Sequence, residues 1–167
     1  MRKTLIASLA VLALGALLSA YTLPVLVFSA GNDPVFLRVV RPDDTFLLGY
    51  LHSVEKTDVW DRFRIDSEYQ IVLTETMFQG QGAGLPTSLS NNERLTREGK
   101  WFRITGMRRF VPSLYWRVEA RWHNRVRFNN EQEQDFSSRL GDAVVHIRVE
   151  KMNVLTWLVY HLTGRAF

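Results

Sequence analysis

Leu114-Tyr115-Trp116-Arg117-Val118-Glu119-Ala120-Arg121-Trp122-His123 is the stretch that decides the fold class. Leu114, Trp116, Val118, Ala120 and Trp122 alternate with Tyr115, Arg117, Glu119, Arg121 and His123. An extended chain turns this period of two into one apolar and one charged face. Ala143, Val145, Ile147 and Val149 repeat the pattern against Val144, His146, Arg148 and Glu150. Further out, residues 35–40 and 45–52 read as strands joined in a hairpin by Arg41-Pro42-Asp43-Asp44, whose Pro and Asp suit a type I turn. Residues 59–66 and 69–76 form a second pair around Ser67-Glu68, and residues 101–106 a further strand. No helical period competes before residue 152. The chain is therefore expected to be all-β, an antiparallel β-sandwich or barrel-like sheet with one solvated face.

The composition agrees with one globular core. Of 167 residues 46% are hydrophobic and 23% charged, which excludes a disordered or collagen-like chain. The absence of cysteine excludes disulfides, thiol catalysis, thiolate metal sites and a lipidated N-terminal Cys. Arginine outnumbers lysine 17 to 4, and guanidinium groups suit forked contacts to carboxylates and stacking on aromatic rings. The net charge of +4 is unevenly spread. Residues 1–30 carry Arg2, Lys3 and no acid, while the remainder is nearly balanced.

Both ends are apolar. The uncharged run from Thr4 to Ala30 reads as a transmembrane helix, since about 20 apolar residues span a bilayer. A cleaved export signal is the alternative, with Leu18-Ser19-Ala20 and Phe28-Ser29-Ala30 as imperfect cleavage sites. The positive-inside rule places Arg2 and Lys3 in the cytoplasm and the rest in the periplasm of a bacterial inner membrane, with Leu12, Leu17 and Tyr21 touching lipid. Pro24 is expected to kink or end the helix, and Gly31-Asn32-Asp33-Pro34 to turn the chain out of the membrane. Near the other end, residues 153–162 form a short apolar helix. It either packs on the sheet or lies at the bilayer surface, with Trp157 and Tyr160 as its membrane contacts. This divides the chain into an anchor (1–30), a periplasmic β domain (31–151) and a terminal helix (152–167).

No motif in the chain carries a catalytic or metal-binding mechanism. His52-Ser53-Val54-Glu55-Lys56-Thr57 is the densest polar cluster, but on a strand His52 faces away from Ser53 and Glu55, so it is read as structural pairing or a recognition surface. The connection from 79 to 100 is long and polar, and long loops are where binding concentrates. Within it, Gly82, Gly84 and Pro86 shape a loop open to partner contact. Residues 101–130 hold seven arginines, including Arg103, Arg108 and Arg109, against the single acid Glu119. An exported location disfavours nucleic acid and favours acidic protein surfaces or lipid headgroups, or simple pairing with acids elsewhere. The scattered histidines 52, 123, 146 and 161 suggest no metal.

Four stretches, Leu48-Gly49-Tyr50-Leu51-His52-Ser53-Val54-Glu55-Lys56-Thr57, Val59-Trp60-Asp61-Arg62-Phe63, Leu73-Thr74-Glu75-Thr76 with Phe78, and Gly82-Ala83-Gly84-Leu85-Pro86, together resemble the family called domain of unknown function 1850. Aspartate at 61 stands where glutamate is expected, and the resemblance weakens after Arg109. It implies a non-enzymatic accessory subunit of a TAXI-type TRAP transporter, contacting the transporter membrane subunit or its periplasmic substrate-binding protein during organic-acid uptake. Residues His52, Ser53, Glu55, Thr57, Gly82, Gly84, Pro86, Arg103, Arg108 and Arg109 are then the candidate contacts, with no cofactor. The alternative is an independent periplasmic module that binds a small carboxylate.

Overall fold

The computed structural model describes residues 2–80, 89–90 and 92–164. In chain order the elements are α1 (Arg2–Ala20), β1 (Thr22–Ala30), β2 (Asp33–Val39), β3 (Thr45–Leu51), β4 (Asp58–Ile65), β5 (Ile71–Gln79), β6 (Arg94–Glu98), β7 (Trp101–Thr105), β8 (Arg109–Phe110), β9 (Leu114–Val118), β10 (Arg125–Phe128), β11 (Gln134–Asp135), α2 (Ser137–Leu140), β12 (Ala143–Asn153) and α3 (Val154–Thr163). A 3-10 turn covers Ala120–Trp122. The pairs are antiparallel and build two sheets, ordered β2-β1-β12-β9 and β11-β10-β3-β4-β5-β7-β6, with β8 attached to β5. Their inner faces enclose one core, so the β domain is a sandwich.

The N-terminal helix is shorter than the uncharged run suggests. The helix stops at Ala20, and residues 22–30 form β1, paired along its length with β12 and β2. Pro24 explains part of this, because a proline inside a helix removes a hydrogen bond and clashes with the preceding turn. Its carbonyl instead accepts from Val40 N–H at 3.0 Å. Leu26 and Phe28 point into the sandwich, whereas Val25 and Val27 point outward beneath α3. Both faces of β1 are therefore covered, which removes the polar half of the alternation and makes a core strand look like membrane. Gly31-Asn32-Asp33-Pro34 is a turn as read, but it closes the β1–β2 hairpin, with Gly31 at φ 61°.

Other expectations also shift. Residues 35–40 and 45–52 are not a hairpin: β2 pairs with β1, and β3 pairs with β4 and β10 in the opposite sheet. The Arg41–Asp44 turn is real, closed by Arg41 N–H on Asp44 Oδ2 at 2.8 Å, and it carries the chain across the sandwich. The hairpin around Ser67-Glu68 forms as expected. The alternation at 114–123 runs as a strand only to Val118. Within the long connection, β6 pairs with β7; all five of its residues are exposed, so no apolar face announced it.

At the C-terminus, Asn153 caps α3 by accepting Thr156 N–H at 2.8 Å, and Gly164 ends it at φ 62°. Trp157 and Tyr160, expected as membrane contacts, are half-buried and packed on Val25, Val27 and Met152. The exposed apolar side of α3 is Leu155, Val159 and Leu162.

The position of β1 makes a clear prediction. A chain beginning at Tyr21 is expected to fold to the same sandwich by circular dichroism and urea unfolding, and one beginning at Gly31 to remain unfolded. Phe28→Ala in the former is expected to lose about 3–5 kcal/mol of stability.

Candidate functional site

β3 and β4 carry most of the site. Tyr50 opposes Val59, and Leu48 opposes Asp61, which places an acid on the inward face of β4 between Val59 and Phe63. The β4–β5 register slips between Arg62 and Phe63, leaving Thr74 as an extra residue whose hydroxyl donates to Arg62 O at 3.1 Å. The slip lets β5 present Ile71 and Leu73 inward, change parity, and then present Thr76 opposite Asp61 and Phe78 opposite Val59. Thr76 Oγ1 donates to Asp61 Oδ1 at 2.8 Å.

Beside Asp61 the two sheets part. A cleft of about 440 Å³ opens between β3–β4 and β9, with Asp61, Tyr50 and Trp116 in its wall and His52, Arg117 and Trp122 also lining it. Asn124, almost fully buried, closes one side: its Oδ1 accepts Glu119 N–H at 2.9 Å and its Nδ2 donates to Arg117 O at 3.0 Å. These two bonds satisfy backbone groups at and just after the end of β9. Lys56 and Arg121 both lie over the Trp122 ring, 4.4 and 4.7 Å from its centre, and the first contact ties the β3–β4 turn to the opposite wall.

The electrostatics are uneven. Burial pushes the Asp61 carboxyl up to about 6, against the opposing effect of the Thr76 hydrogen bond. Among the described residues no cation pairs with it. Burial, and next the Asp61 charge, hold the Tyr50 hydroxyl above its ordinary range. The Trp116 indole N–H is buried and has no hydrogen-bond partner among the described residues.

His52 and Ser53, expected on a strand, begin the tight turn from β3 to β4, closed by His52 N–H on Thr57 O at 2.8 Å and Lys56 N–H on His52 O at 3.0 Å. His52 Nδ1 accepts from Glu55 N–H at 3.2 Å and Val54 N–H at 3.4 Å, so the neutral ring carries its proton on Nε2. Both residues line the cleft. Glu55 is exposed, and Thr57 Oγ1 donates to Gln79 O at 2.8 Å, bracing the turn against β5. Gly82, Gly84 and Pro86 lie outside the described residues.

The three arginines expected as contacts, Arg103, Arg108 and Arg109, are not in the lining of this cleft. Arg103 lies on the outer face of its sheet, paired with Glu75 at 3.3 Å. Arg109 forks onto Glu93 through Nε and Nη2, each at 2.9 Å, and the Ser90 N–H first and then Arg109 hold that carboxyl below its ordinary range. Arg108 is exposed before β8. Elsewhere Arg125 and Arg127 bracket the Trp60 ring, and Arg125 pairs with Asp58 at 2.6 Å. Gly49 makes room for that ring, since a Cβ there would sit 2.5 Å from it. The arginine-rich stretch thus works largely in internal pairs. Leu12, Leu17 and Tyr21 are exposed on and just after α1.

One further polar chain deserves a chemical test. Ser113 Oγ lies 3.2 Å from His146 Nε2, but the other ring nitrogen meets Arg148 at 3.3 Å. A serine–histidine relay requires a hydrogen-bond acceptor there, and a guanidinium is only a donor.

Of the residues lining this cleft, His52 and Ser53 were among the expected contacts, whereas Tyr50, Trp116 and Trp122 were not. Asp61 was visible as an irregularity, an acid at the parity of Val59, Phe63 and Ile65. The family model described as Domain of unknown function (DUF1850) matches residues 46–134, more than half of the chain. That span holds the cleft and most of the larger sheet, and lacks β1 and β12. No curated protein and no solved structure matches the chain.

Asp61 has a measurable signature. Its carboxyl is raised when folded, so the fold holds the proton that the unfolded chain releases, and stability falls as pH rises from about 4 to above 6. Asp61→Asn is expected to raise stability by about 3 kcal/mol at pH 8, by the free energy per pKa unit, and to change it little at pH 4. Urea unfolding at the two pH values checks this.

Proposed function

The chain belongs to the family described as domain of unknown function 1850, and from that premise we propose that it is a membrane-tethered companion of a multi-spanning carrier. The observation that carries the reading is the junction between α1 and the sandwich. Only Tyr21 separates α1 from β1, and its carbonyl accepts Val154 N–H, the first residue of α3, at 3.0 Å. There is no flexible linker. α1 and α3 lie in contact, and at 1.5 Å per residue the nineteen residues of α1 extend about 28 Å, enough to cross most of a bilayer core.

Anchored by α1, the sandwich is held against the membrane with the Leu155, Val159 and Leu162 side of α3 near the interface. Arg2 and Lys3 favour a cytoplasmic N-terminus and hence a periplasmic β domain. A surface arranged in this way suits contact with lipid and with a neighbouring membrane subunit. The carrier type, a TAXI-type TRAP transporter with the membrane subunit or its substrate-binding protein as the surface contacted, comes from the sequence resemblance alone.

The protein acts in this reading by binding. His52 spends Nδ1 on its own turn, and Ser113–His146 lacks an acceptor behind it, which supports a non-catalytic role. An independent module for small carboxylates is the weaker reading, since the cleft has Asp61 in its wall and two of the three expected arginines, Arg103 and Arg109, are paired with carboxylates outside it.

A tagged full-length chain, drawn from membranes in mild detergent, is expected to bring a multi-spanning protein with it. Changing Leu155, Val159 and Leu162 together to Ser is expected to remove most of that recovery without altering the circular dichroism spectrum. Recovery of the wild-type chain alone would overturn the proposal.

A further inference from the structure

We infer that the cleft between β3–β4 and β9 is a binding site for a small amino compound, with its ammonium group seated on Asp61 and an acceptor group turned toward the basic rim. The inference stands apart from the carrier role.

Three features of the cleft point the same way. First, Asp61 is a half-buried carboxylate with no cation partner among the described residues, and one hydrogen bond from Thr76 offsets its desolvation only in part. Nothing in the sandwich requires an acid at this position, where Val59 and Phe63 on either side are apolar. An ammonium group would supply the missing charge. Second, the surrounding wall is aromatic: Tyr50, Tyr115 and Trp116 line the same space. Aromatic faces attract organic cations, and more strongly once water is excluded.

Third, the charge reverses toward solvent. His52 offers Nε2–H, Arg117 is largely exposed, and Lys56 and Arg121 stand over Trp122. Glu119 is the acid in this group, and it is shared by Arg117 and Arg121. An acidic wall beneath a basic rim complements a dipolar molecule, ammonium inward and carboxylate outward. A pure anion meets Asp61, and a pure cation must pass the rim without a partner there. The volume of about 440 Å³ suits a molecule of small-metabolite size.

Binding must then follow the ionisation of Asp61. The groups that face it or share its cleft are Tyr50 and His52 from β3 and its turn, Thr76 from β5, and Tyr115 and Arg117 from β9, with Lys56 and Arg121 at Trp122. With the carboxyl titrating at about 6, the ionised fraction at pH 5 is about one tenth. Affinity for the ammonium group is expected to fall about tenfold between pH 8 and pH 5.

The test is calorimetry on the full chain in detergent micelles with three probes of matched length: γ-aminobutyrate, n-butylamine and butyrate. γ-Aminobutyrate is expected to bind at pH 8 at least tenfold more tightly than either other probe. The affinity is expected to fall about tenfold at pH 5 and to be lost in Asp61→Asn, whose amide oxygen still accepts from Thr76. The fall at pH 5 must persist in His52→Asn, whose side-chain oxygen still accepts the turn N–H groups, so that histidine charging is not its source. Equal binding of butyrate, full affinity in Asp61→Asn, loss of the pH effect in His52→Asn, or no binding of γ-aminobutyrate up to about 10 mM, the weak end of specific affinity, would each overturn the inference. None of these outcomes bears on whether a membrane partner is recovered.

Discussion

The Phe28 ring holds the two sheets together. It is fully buried and meets Phe36 and Phe136 with ring centres 5.4 and 5.3 Å away, and Phe46 and Phe128 across the sandwich at 6.2 and 6.1 Å. The pairs with Phe36, Phe46 and Phe128 are edge-on, and aromatic pairs of that kind each add about 0.5–1.5 kcal/mol beyond the area they bury. The cluster also fixes the register of β1 against β2 and β12, because a slip of one residue would turn Phe28 and Leu26 outward. A chain without cysteine depends on such packing for its stability.

The same packing defines where the fold is incomplete. The aromatic cluster fills the middle of the sandwich, while a second cluster of Val59, Phe78, Phe102, Ile104 and Met107 fills the part of the larger sheet near β7. Asp61 and Thr76 sit on the strip between them, beside the opening at β9. A leucine there would join the two clusters. Retaining an acid instead lowers stability at neutral pH, and local conflict of this sort between packing and polarity tends to mark functional sites. Asn124 and Trp122 brace the opening by bonding the backbone at the end of β9 and holding the turn above it.

Much of the architecture was legible from period-two patterns. The stretches at 114–118 and 143–150 alternate apolar and polar residues, those at 59–66 and 101–106 are short runs rich in β-branched and aromatic residues, and the antiparallel sandwich follows from them. What escaped reading has specific causes. β6 is exposed on both faces, so it has no apolar stripe. The β5 bulge at Thr74 reverses parity and breaks the alternation halfway along. The 41–44 turn has the composition of a hairpin, and turn chemistry alone does not say which sheet receives the next strand. Two of the expected contact residues, His52 and Ser53, reach the cleft, whereas Arg103 and Arg109 are bound to carboxylates whose proximity depends on strand pairing.

By itself the sequence determined that this is an antiparallel β protein with an apolar N-terminal helix and a short apolar helix near its end, because alternation and run length are local properties of the chain. Only the tertiary structure decided where the membrane-like segment ends and the core begins. β1 is apolar on both faces since sheet packing covers one and α3 the other, and no local pattern distinguishes that from lipid. The cleft was likewise a tertiary decision: Tyr50, Asp61 and Trp116 lie on three strands and meet only when two sheets fail to close.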